Sequence, residues 1–298
     1  VPDTLCGQYY SLKSVHSSTW PFFFTKVTKF RNGLQTINSL TIFHCSSLLS
    51  NIVMKIEAMS VVPYKNQKEG KKQQVANMFN NISKNYDLLN HVLSLGIDII
   101  WRKKAIKMLQ NDHPKLILDI ATGTGDFAIE ALSLKPEKII GVDISEGMLN
   151  EGRKKMKQKK LDHLIDLQMG DSEKLLFEEN KFDAVIVSFG VRNFENLEKG
   201  LADMYRVLKP GGKTVILEFS TPKKFPMKQA YSFYFKYILP QIGKVISKDN
   251  SAYTYLPESV KAFPDGNDFI NILERVGFKK TQCKTLTFGI SSIYIGIK

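Results

Sequence analysis

A short stretch near the middle of the chain combines acids and glycines in the order of a nucleoside-binding site. An apolar run at 116–118 leads through Asp119 into a turn that contains Gly123 and Gly125. A second apolar run ends on Asp143, 18 residues after Gly125. Glycine lets the backbone approach a ligand closely because it has no Cβ atom, and an acid at the tip of the second strand can accept hydrogen bonds from both ribose hydroxyls. The pattern predicts a site for a nucleoside-containing cofactor.

The acids beside the glycines favour a cationic cofactor over a dinucleotide. A dinucleotide-binding loop has a third glycine, where this chain has Ala128. In such a site, the N-terminus of the helix that follows the loop binds the pyrophosphate. Here Asp126 directly follows Gly125, which is a poor position for a pyrophosphate. Asp119 lies in the first strand, where it can orient the loop and face an ammonium group. The pattern therefore suits S-adenosylmethionine, which carries a sulfonium and an amino group, while an ordinary turn with incidental glycines is the alternative.

The elements that must position this loop alternate between strand and helix patterns. Residues 165–171 indicate a short strand that ends on Asp171, where a carboxylate suits an adenine amino group. Residues 182–189 are nearly all apolar, as expected for a strand covered on both faces. A helix ends at the proline and glycines of 210–212, and residues 214–219 form a fifth strand. This order predicts an α/β fold.

Several motifs give the chain a resemblance to a known family. They are M-F-N at 78–80, K-N-Y-D at 84–87, L-S-L-G-I-D at 93–98, S-F-G-V-R-N at 188–193, R-V-L-K-P-G-G at 206–212 and Y-T-Y-L-P-E-S-V at 253–260. With them the chain resembles the class I S-adenosylmethionine-dependent methyltransferases and, from about residue 73 to the C-terminus, the menaquinone/ubiquinone biosynthesis C-methyltransferase family. The resemblance implies a Rossmann-like seven-stranded sheet with helices on both faces, an N-terminal helical lid and an aromatic-rich insertion after strand five.

The resemblance also implies which residues hold S-adenosylmethionine. Most are acids, glycines and hydroxyl side chains in or after the first four strands, and they are Asp119, Gly123, Thr124, Gly125, Asp143, Asp171, Ser172 and Ser188. Gly123 and Gly125 would shape the loop, and Asp119 would reach the cofactor through a water. No metal ion is implied.

The reaction that the resemblance implies is methylation of a ring carbon of a prenylated quinol, demethylmenaquinol to menaquinol, in respiratory quinone biosynthesis. Removing a phenolic proton would raise the electron density at that carbon. Arg192 would stabilise the phenolate or orient a water that takes the proton, because arginine stays protonated; a structural salt bridge is the alternative. Tyr86 would hydrogen-bond the second ring oxygen. Glu218 could bind substrate or be a buried structural carboxylate, and His91 is assigned no role.

Three alternatives to methylation of demethylmenaquinol stay open at this point. One is the benzoquinol step of ubiquinone biosynthesis, since the segment at 286–290 favours the naphthoquinol only through the resemblance. Another is a methyltransferase with a different small acceptor, because its cofactor half would look the same. The third is a protein that keeps the fold as a scaffold without activity, against which the intact loop and Asp143 argue.

An aromatic-rich segment between the fifth strand and the C-terminal strands is the candidate acceptor site. Within residues 225–263, the stretch 231–237 alone contains five Tyr and Phe side chains. An aromatic quinol head with an isoprenoid tail needs an apolar slot beside the sulfonium, and we expect this segment to form its wall. The helix predicted over 75–89 would be the lid. A helix that simply closes the core is the alternative for the aromatic segment.

The first 58 residues differ in composition from the rest of the chain. They contain two acids, five basic residues and many serines and threonines, without convincing periodicity. We interpret residues 1–58 as a non-structural extension upstream of Met59, with a targeting sequence as the alternative, and residues 59–298 as a single methyltransferase domain. The expected location is the cytoplasm, at the inner face of the membrane, or the mitochondrial matrix if residues 1–58 are a transit peptide.

The net charge of +13 favours a negatively charged partner, either a nucleic acid or an anionic lipid. A base methyltransferase of this fold would often show N-P-P-Y or D-P-P-Y after strand four, where this chain has S-F-G-V at 188–191, so no nucleic acid is expected. The lysines would instead attract anionic lipid headgroups, and we expect peripheral contact with a membrane surface. No apolar run after residue 60 is long enough to span a bilayer. The three cysteines have neither metal nor disulfide spacing, and a homo-oligomer stays open.

Overall fold

The structure is a computed structural model that describes residues 61–239, 241 and 251–298. The chain divides into two units, Val1–Met59 and Ser60–Lys298. The interpretation of residues 1–58 as an extension falls outside the described part of the chain. The fold and the site described below belong to the second unit.

One seven-stranded sheet forms the core of this unit. Its strands are β1 (Leu116–Ile120), β2 (Lys138–Asp143), β3 (Ile165–Met169), β4 (Phe182–Ser188), β5 (Leu208–Phe219), β6 (Lys279–Leu286) and β7 (Ser291–Ile297). Their order in the sheet is β3-β2-β1-β4-β5-β7-β6. Neighbours among β1 to β5 are parallel, whereas β7 pairs antiparallel with both β5 and β6. The predicted α/β class and the seven-stranded sheet are confirmed.

Helices precede, connect and follow the strands. They are α1 (Lys71–Ile82), α2 (Tyr86–Leu93), α3 (Ile97–Ile106), α4 (Asp126–Ala131), α5 (Glu146–Gln158), α6 (Leu197–Val207), α7 (Met227–Phe233), α8 (Ser251–Ala262) and α9 (Asn267–Val276). A π-helical turn, Tyr234–Ile238, continues α7. Two 3-10 turns bear on the site: Ser83–Asn85 joins α1 to α2, and Val191–Asn193 follows β4.

Apolar side chains cover both faces of the sheet. On one face, Ile117 and Ile186 pack in a cluster with residues of α3, α4 and α5. On the other face, Leu118 and Val185 pack with residues of α6 and α9. Successive side chains of a strand point to opposite faces, so a nearly continuous apolar strand is the pattern of a sheet buried on both sides. The prediction of helices on both faces is confirmed.

Strand β5 begins earlier than the sequence pattern predicts. The pattern places a turn at 210–212 and a strand at 214–219, but β5 already begins at Leu208. The Gly211 N–H donates to the carbonyl of Lys298 at 3.0 Å, and the Lys298 N–H donates to Gly212 at 3.0 Å. These hydrogen bonds to Lys298 make residues 208–213 part of β5. A pattern of neighbouring residues cannot predict a partner that is so distant in the sequence.

The predicted lid helix over 75–89 is two helices, α1 and α2. Ser83 at their junction donates its hydroxyl to the Asn80 carbonyl at 3.0 Å. This hydrogen bond gives a partner to one of the carbonyl groups in the last turn of α1. The Asn80 side chain also accepts from the Ser145 hydroxyl and the Gly147 N–H, at 2.8 Å each, where α5 begins. Helix α1 is thereby fixed to the segment that follows β2.

Two further properties of the described ranges bear on function. None of their helices has the length and apolar character needed to cross a bilayer. Within the same ranges, no three His, Cys, Asp or Glu side chains gather in a geometry that could hold a metal ion.

Candidate active site

The strand order places a crevice at the carboxyl ends of β1 and β4. These two strands are neighbours, and the sheet grows outward from them in opposite directions. Such a reversal is where ligands bind in open parallel sheets, because the connecting helices lie on opposite faces there. The segments that follow β1, β2 and β4 therefore meet at one edge of the sheet.

The loop after β1 is held by the acid at the end of β2. Gly123 and Gly125 have φ angles of 57° and 86°, in the left-handed region that favours glycine. The Gly123 N–H donates to Asp143 Oδ2 at 2.8 Å. A Cβ atom at Gly125 would lie 2.7 Å from the Met156 side chain, so glycine at this position lets the loop pack against α5.

Asp143 has the geometry expected of a ribose-binding acid. It is 9% exposed, and its two oxygens accept the N–H groups of Gly123 and Ser145, at 2.8 Å each. Burial raises the pKa of its carboxyl, and the backbone N–H groups oppose that shift. Because a carboxylate oxygen accepts more than one hydrogen bond, both oxygens can still accept from the hydroxyls of a ribose.

A pocket of about 60 Å³, the cofactor pocket, opens beside this acid. Five of the eight predicted cofactor residues line it, and they are Gly123, Asp143, Asp171, Ser172 and Ser188. Helix α1 contributes Lys72, Val75 and Phe79 to the wall, and α2 contributes Tyr86. The structure thus brings the ends of β1 to β4 together with the two helices of the lid.

Thr124 and Gly125, although predicted to bind the cofactor, do not line the cofactor pocket. Thr124 donates its hydroxyl to Asp87 of α2 at 2.6 Å and accepts from Lys155 of α5 at 2.9 Å. The Thr124 side chain therefore connects the glycine loop to the lid.

Asp119 also lies outside the pocket lining, fully buried in β1, and retains an unpaired oxygen. Thr122 donates its hydroxyl to Oδ2 at 2.6 Å, while Oδ1 has no hydrogen-bond partner among the described residues. Burial is the main reason that the pKa of this carboxyl rises to about 7, and the Asp143 charge adds to the shift. The lone pairs of Asp143 therefore fit the ribose of S-adenosylmethionine in the pocket, whereas Asp119 lies behind the pocket wall.

Asp171 is held by a lysine that the sequence pattern does not single out. Lys72 of α1 lies 2.8 Å from Asp171 Oδ2 and 3.3 Å from Glu173 Oε2. Burial would raise the pKa of Asp171, but the hydrogen bond and charge of Lys72, together with the backbone N–H of Glu173, outweigh it and hold the pKa below its usual range. Helix α1 is therefore tied by an ion pair to the predicted adenine-binding end of the pocket.

A larger cavity of about 310 Å³, the acceptor cavity, adjoins the cofactor pocket. Phe79, Tyr86 and Phe189 line both spaces. The other aromatic side chains of its wall are Trp101, Phe219, Tyr231, Tyr234, Phe235, Tyr253 and Tyr255. Five of these belong to the segment 225–263 that was expected to form an apolar slot. A lining of this kind suits an aromatic ring with an apolar tail.

Arg192 lines the acceptor cavity and not the cofactor pocket. Its Nη1 lies 2.8 Å from Oε1 of the fully buried Glu218 and also donates to the Phe189 carbonyl. Its Nε has no hydrogen-bond partner among the described residues. The structural ion pair is therefore present, and Arg192 contributes to the wall of the acceptor cavity. Glu218 is a buried structural carboxylate.

Tyr86 lies where the two spaces meet. Its ring meets the Phe79 ring edge-on, with centroids 5.9 Å apart. Burial raises the pKa of its phenol, while a hydrogen bond with Asn90 and the charges of Arg192 and Arg102 oppose the shift. Tyr86 is therefore a neutral phenol at neutral pH, able to donate a hydrogen bond to a ring oxygen.

A polar group on α3 and the turn before it also lines the acceptor cavity, and the sequence pattern does not assign it. Its members are Ser94, Asp98 and Arg102. Arg102 donates to Asp98 and, at 3.1 Å, to Asp126, and Ser94 donates to Asp98. His91 Nδ1 lies 3.0 Å from Asp98. The i, i+4 spacing of Asp98 and Arg102 on one helix is the signal that could have indicated the pair.

The fold and the cofactor pocket define a class I S-adenosylmethionine-dependent methyltransferase. Among solved structures, a SAM-dependent methyltransferase from Thermotoga maritima, described as a possible histamine N-methyltransferase, matches with a TM-score of 0.52 at 20% identity. The match covers 75% of this chain and 99% of that chain. At this identity it supports the fold alone.

The chain belongs to the ubiE/COQ5 methyltransferase family, whose model matches residues 66–298. The demethylmenaquinone methyltransferase of Bacteroides fragilis is 54% identical over 240 residues, which are 80% of this chain and 97% of that one. The demethylmenaquinone methyltransferase of Porphyromonas gingivalis is 43% identical, covering 76% and 94%. The ubiquinone/menaquinone biosynthesis C-methyltransferase UbiE of Geobacter sulfurreducens is 43% identical, covering 76% and 90%. The predicted family and the S-adenosylmethionine-dependent methyltransferase class are confirmed, while the roles of individual residues stay predictions.

Proposed function

We propose that this chain transfers a methyl group from S-adenosylmethionine to a ring carbon of demethylmenaquinol, a step of respiratory quinone biosynthesis. The observation that carries the proposal is the junction of the cofactor pocket with the acceptor cavity at Phe79, Tyr86 and Phe189. A ring held in the cavity would meet the methyl donor at this junction, with Arg192 in the wall. The names of the relatives from Bacteroides fragilis and Porphyromonas gingivalis support a naphthoquinol head group.

Alignment of the acceptor ring is the first contribution of the chain. Phe189 and Phe219 stack with their centroids 4.3 Å apart and their planes at 26°. Trp101 packs 6.2 Å from each of them. Such rings give a flat apolar wall for an aromatic acceptor. Holding the acceptor carbon in line with the methyl group replaces a chance encounter in solution and lowers the barrier by several kcal/mol.

Stabilisation of charge is the second contribution. When bound, S-adenosylmethionine supplies an electrophilic methyl group on its sulfonium. The acceptor carbon becomes more nucleophilic as the neighbouring hydroxyl loses its proton, and the positive charge of Arg192 in the cavity wall can stabilise the oxygen that develops negative charge. Glu218 holds the guanidinium in place. The proton leaves to water, because arginine stays protonated at neutral pH.

The benzoquinol of ubiquinone biosynthesis is the second candidate acceptor. The relative from Geobacter sulfurreducens is named for both pathways, and the apolar wall of the acceptor cavity suits either head group. The naphthoquinol is the better candidate because the relative with 54% identity is named a demethylmenaquinone methyltransferase.

We further propose that the protein works in the cytoplasm at the inner face of the membrane. Leu95 lines the acceptor cavity and is 85% exposed, so it marks the mouth of the cavity. Leu88 of α2 and Phe233 of α7 are also exposed apolar side chains, and residues of α2, of the π-helical turn after α7 and of α8 share an apolar cluster. Lys103 and Lys104 are exposed on α3. Exposed apolar side chains suit insertion into a lipid surface, exposed lysines suit its anionic headgroups, and a prenylated quinol resides in the same membrane.

The test of the reaction is a turnover assay of the full chain with methyl-labelled S-adenosylmethionine and two acceptors, demethylmenaquinol and its benzoquinol counterpart. Label in the naphthoquinol product supports the proposal. Label in the benzoquinol product alone assigns the chain to the other pathway. Cofactor binding without transfer to either acceptor refutes the quinol assignment.

A further inference from the structure

The turn between β6 and β7 lies against the wall of the acceptor cavity. It is the 3-10 turn Thr287–Gly289, and Ile290, which follows it, lines the cavity. Ser220 donates its hydroxyl to the Gly289 carbonyl and its N–H to the Ile290 carbonyl, at 2.9 Å each. Since Ser220 directly follows Phe219 of the cavity wall, these two hydrogen bonds fix the turn beside that wall.

Thr287 of this turn is the hydrogen-bond partner of a buried tryptophan. The Trp101 indole donates its Nε1–H to Thr287 Oγ1 at 2.7 Å. Trp101 is 3% exposed, its indole nitrogen can only donate, and a buried donor without a partner is costly. The Thr287 hydroxyl therefore fixes the direction of the indole ring. Thr287 lines neither the cofactor pocket nor the acceptor cavity, so it can act on a ligand only through its neighbours.

Trp101 in turn supports the two rings that form the flat part of the cavity wall. Phe189 and Phe219 are half-buried, stack on each other and line the acceptor cavity. The Trp101 centroid lies 6.2 Å from each, with its plane at 60° to Phe189 and at 86° to Phe219. Contacts between aromatic rings depend on their mutual orientation, so a rotated indole would no longer fit the stack. Direct contacts therefore join the Thr287 hydroxyl to the wall proposed to hold the acceptor ring.

Backbone strain occurs at both ends of this series of contacts. Phe189 has a φ angle of 57° and Thr287 one of 42°, in the left-handed region. A side chain with a Cβ atom is unfavourable there, and a β-branched one such as threonine especially so. Strained residues persist where the surrounding contacts over-determine them, and they concentrate at ligand sites. Here the Phe189 N–H donates to the Leu217 carbonyl at 2.7 Å, and Thr287 is held by Trp101.

We propose that Thr287 is a positioning residue for the acceptor ring. Its hydroxyl orients Trp101, and Trp101 keeps the Phe189–Phe219 stack in the orientation that aligns the acceptor carbon with the methyl group. The inference rests on the proposed function and adds to it a residue that contacts neither substrate. Losing the hydroxyl should impair binding and alignment of the acceptor and leave cofactor binding intact, because Thr287 and Trp101 do not line the cofactor pocket.

The test compares two substitutions of Thr287 in the full chain. Thr287→Val keeps the branched shape and removes the hydroxyl, whereas Thr287→Ser keeps the hydroxyl. Thr287→Val should lower kcat/KM for demethylmenaquinol roughly tenfold to a hundredfold, the range expected for a slightly misplaced ring, with the Kd of S-adenosylmethionine nearly unchanged. Thr287→Ser should retain the activity of the unaltered chain. Thr285→Val, the same change at an exposed position of β6, should also retain it.

A double variant separates positioning from general structural support. Trp101→Phe removes the donor of the hydrogen bond, so the Thr287 hydroxyl then has nothing to orient. Adding Thr287→Val to Trp101→Phe should therefore cause no further loss of kcat/KM. A further loss as large as that of Thr287→Val alone would show that Thr287 acts independently of Trp101, and it would overturn the inference.

The fluorescence of Trp101 reports binding without turnover. With Trp20→Phe in every protein compared, Trp101 is the one tryptophan of the chain. Quenching of its emission then measures the affinity for 2-methyl-1,4-naphthoquinone in the presence of S-adenosylhomocysteine. The affinity should fall in Thr287→Val and be retained in Thr287→Ser.

The outcomes distinguish this inference from the proposed reaction. Unchanged affinity and kcat/KM in Thr287→Val, or an equal loss in Thr287→Val and Thr287→Ser, overturns the positioning role. A loss of affinity confined to Thr287→Val, with no methyl transfer by the unaltered chain, would support the role of Thr287 in holding the ring and reject the proposed reaction.

Discussion

Arg192 Nη1 lies 2.8 Å from Oε1 of Glu218, and the other Glu218 oxygen accepts the backbone N–H of Arg192 at 3.3 Å. Glu218 lies near the end of β5 and Arg192 follows β4, so the pair joins two neighbouring strand ends at the edge where the acceptor would react. A buried charge requires a partner. The same contact that satisfies this requirement also fixes the group proposed to stabilise the phenolate.

Removing the carboxylate of this pair should destabilise the fold. Glu218→Ala is expected to lower the free energy of unfolding by about 3–5 kcal/mol, because it leaves the Arg192 charge buried without its partner. Urea denaturation measures the loss. The double variant Glu218→Ala/Arg192→Met should recover part of it, and a double variant no more stable than Glu218→Ala would contradict the explanation.

Removing the guanidinium should affect turnover far more than cofactor binding. Arg192→Ala is expected to lower kcat roughly 10²–10³-fold, the usual effect of losing one donor to a developing negative charge. The affinity for S-adenosylmethionine should stay nearly unchanged, since Arg192 does not line the cofactor pocket. Arg275→Ala removes an exposed arginine and should behave like the unaltered chain. A fully active Arg192→Ala would end the proposed role.

The ribose assignment of Asp143 predicts a loss of cofactor affinity. Asp143→Ala should weaken binding of S-adenosylmethionine by about 1–3 kcal/mol, the cost of leaving polar groups unpaired. Isothermal titration calorimetry measures the change. Asp162→Ala, at an exposed acid, is the matched control. Equal affinities in the Asp143 variant and the unaltered chain would refute the assignment.

Asp119 should make the stability of the fold depend on pH. Its folded-state pKa of about 7 lies above the ordinary value of 3.8 because of burial. The unfolded chain therefore releases this proton first, and the free energy of unfolding should fall by about 3–4 kcal/mol as the pH rises from about 4 to about 7. Urea denaturation across this range should show a flatter profile for Asp119→Asn. Asp166→Asn, at a half-buried acid of β3, should keep the original profile, and an Asp119→Asn profile as steep as the original would contradict the prediction.

The proposed membrane surface predicts which apolar side chains bind lipid. The double variant Leu95→Asp/Phe233→Asp should sediment less with vesicles that contain phosphatidylglycerol, because Leu95 is exposed at the cavity and Phe233 is exposed on α7, a helix that also lines the cavity. Leu176→Asp is the control, since Leu176 is 87% exposed and does not line the cavity. Undiminished sedimentation of the double variant would place the membrane contact elsewhere.

The cofactor side could be predicted from the sequence because its chemistry is local. Asp119, Gly123 and Gly125 lie within one short segment, and Asp143 ends the next strand, so spacing alone indicates a loop and its acid. The direction in which a side chain points depends on partners that can be distant in the sequence. Thr124 is in the predicted loop, but its hydroxyl bonds to Asp87, 37 residues away.

The acceptor side depends on contacts that spacing cannot indicate. Arg192 pairs with Glu218 across 26 residues, and the Trp101 indole donates to Thr287 across 186 residues. Such partners meet only when the sheet and the lid helices are assembled. Arg192 was predicted through its motif, whereas the place of Arg102 in the cavity wall could be recognised only in the structure.

The hydrogen bond from Thr124 to Asp87 makes the two spaces energetically dependent on each other. Thr124 belongs to the glycine loop, while Asp87 adjoins Tyr86, which lines both the cofactor pocket and the acceptor cavity. Lys155 reinforces this contact at 2.5 Å from Asp87. A ligand that displaces α2 must strain or break the bond to the loop. Thermodynamic linkage then requires reciprocity: by whatever factor the acceptor alters the affinity for the cofactor, the cofactor alters the affinity for the acceptor by the same factor.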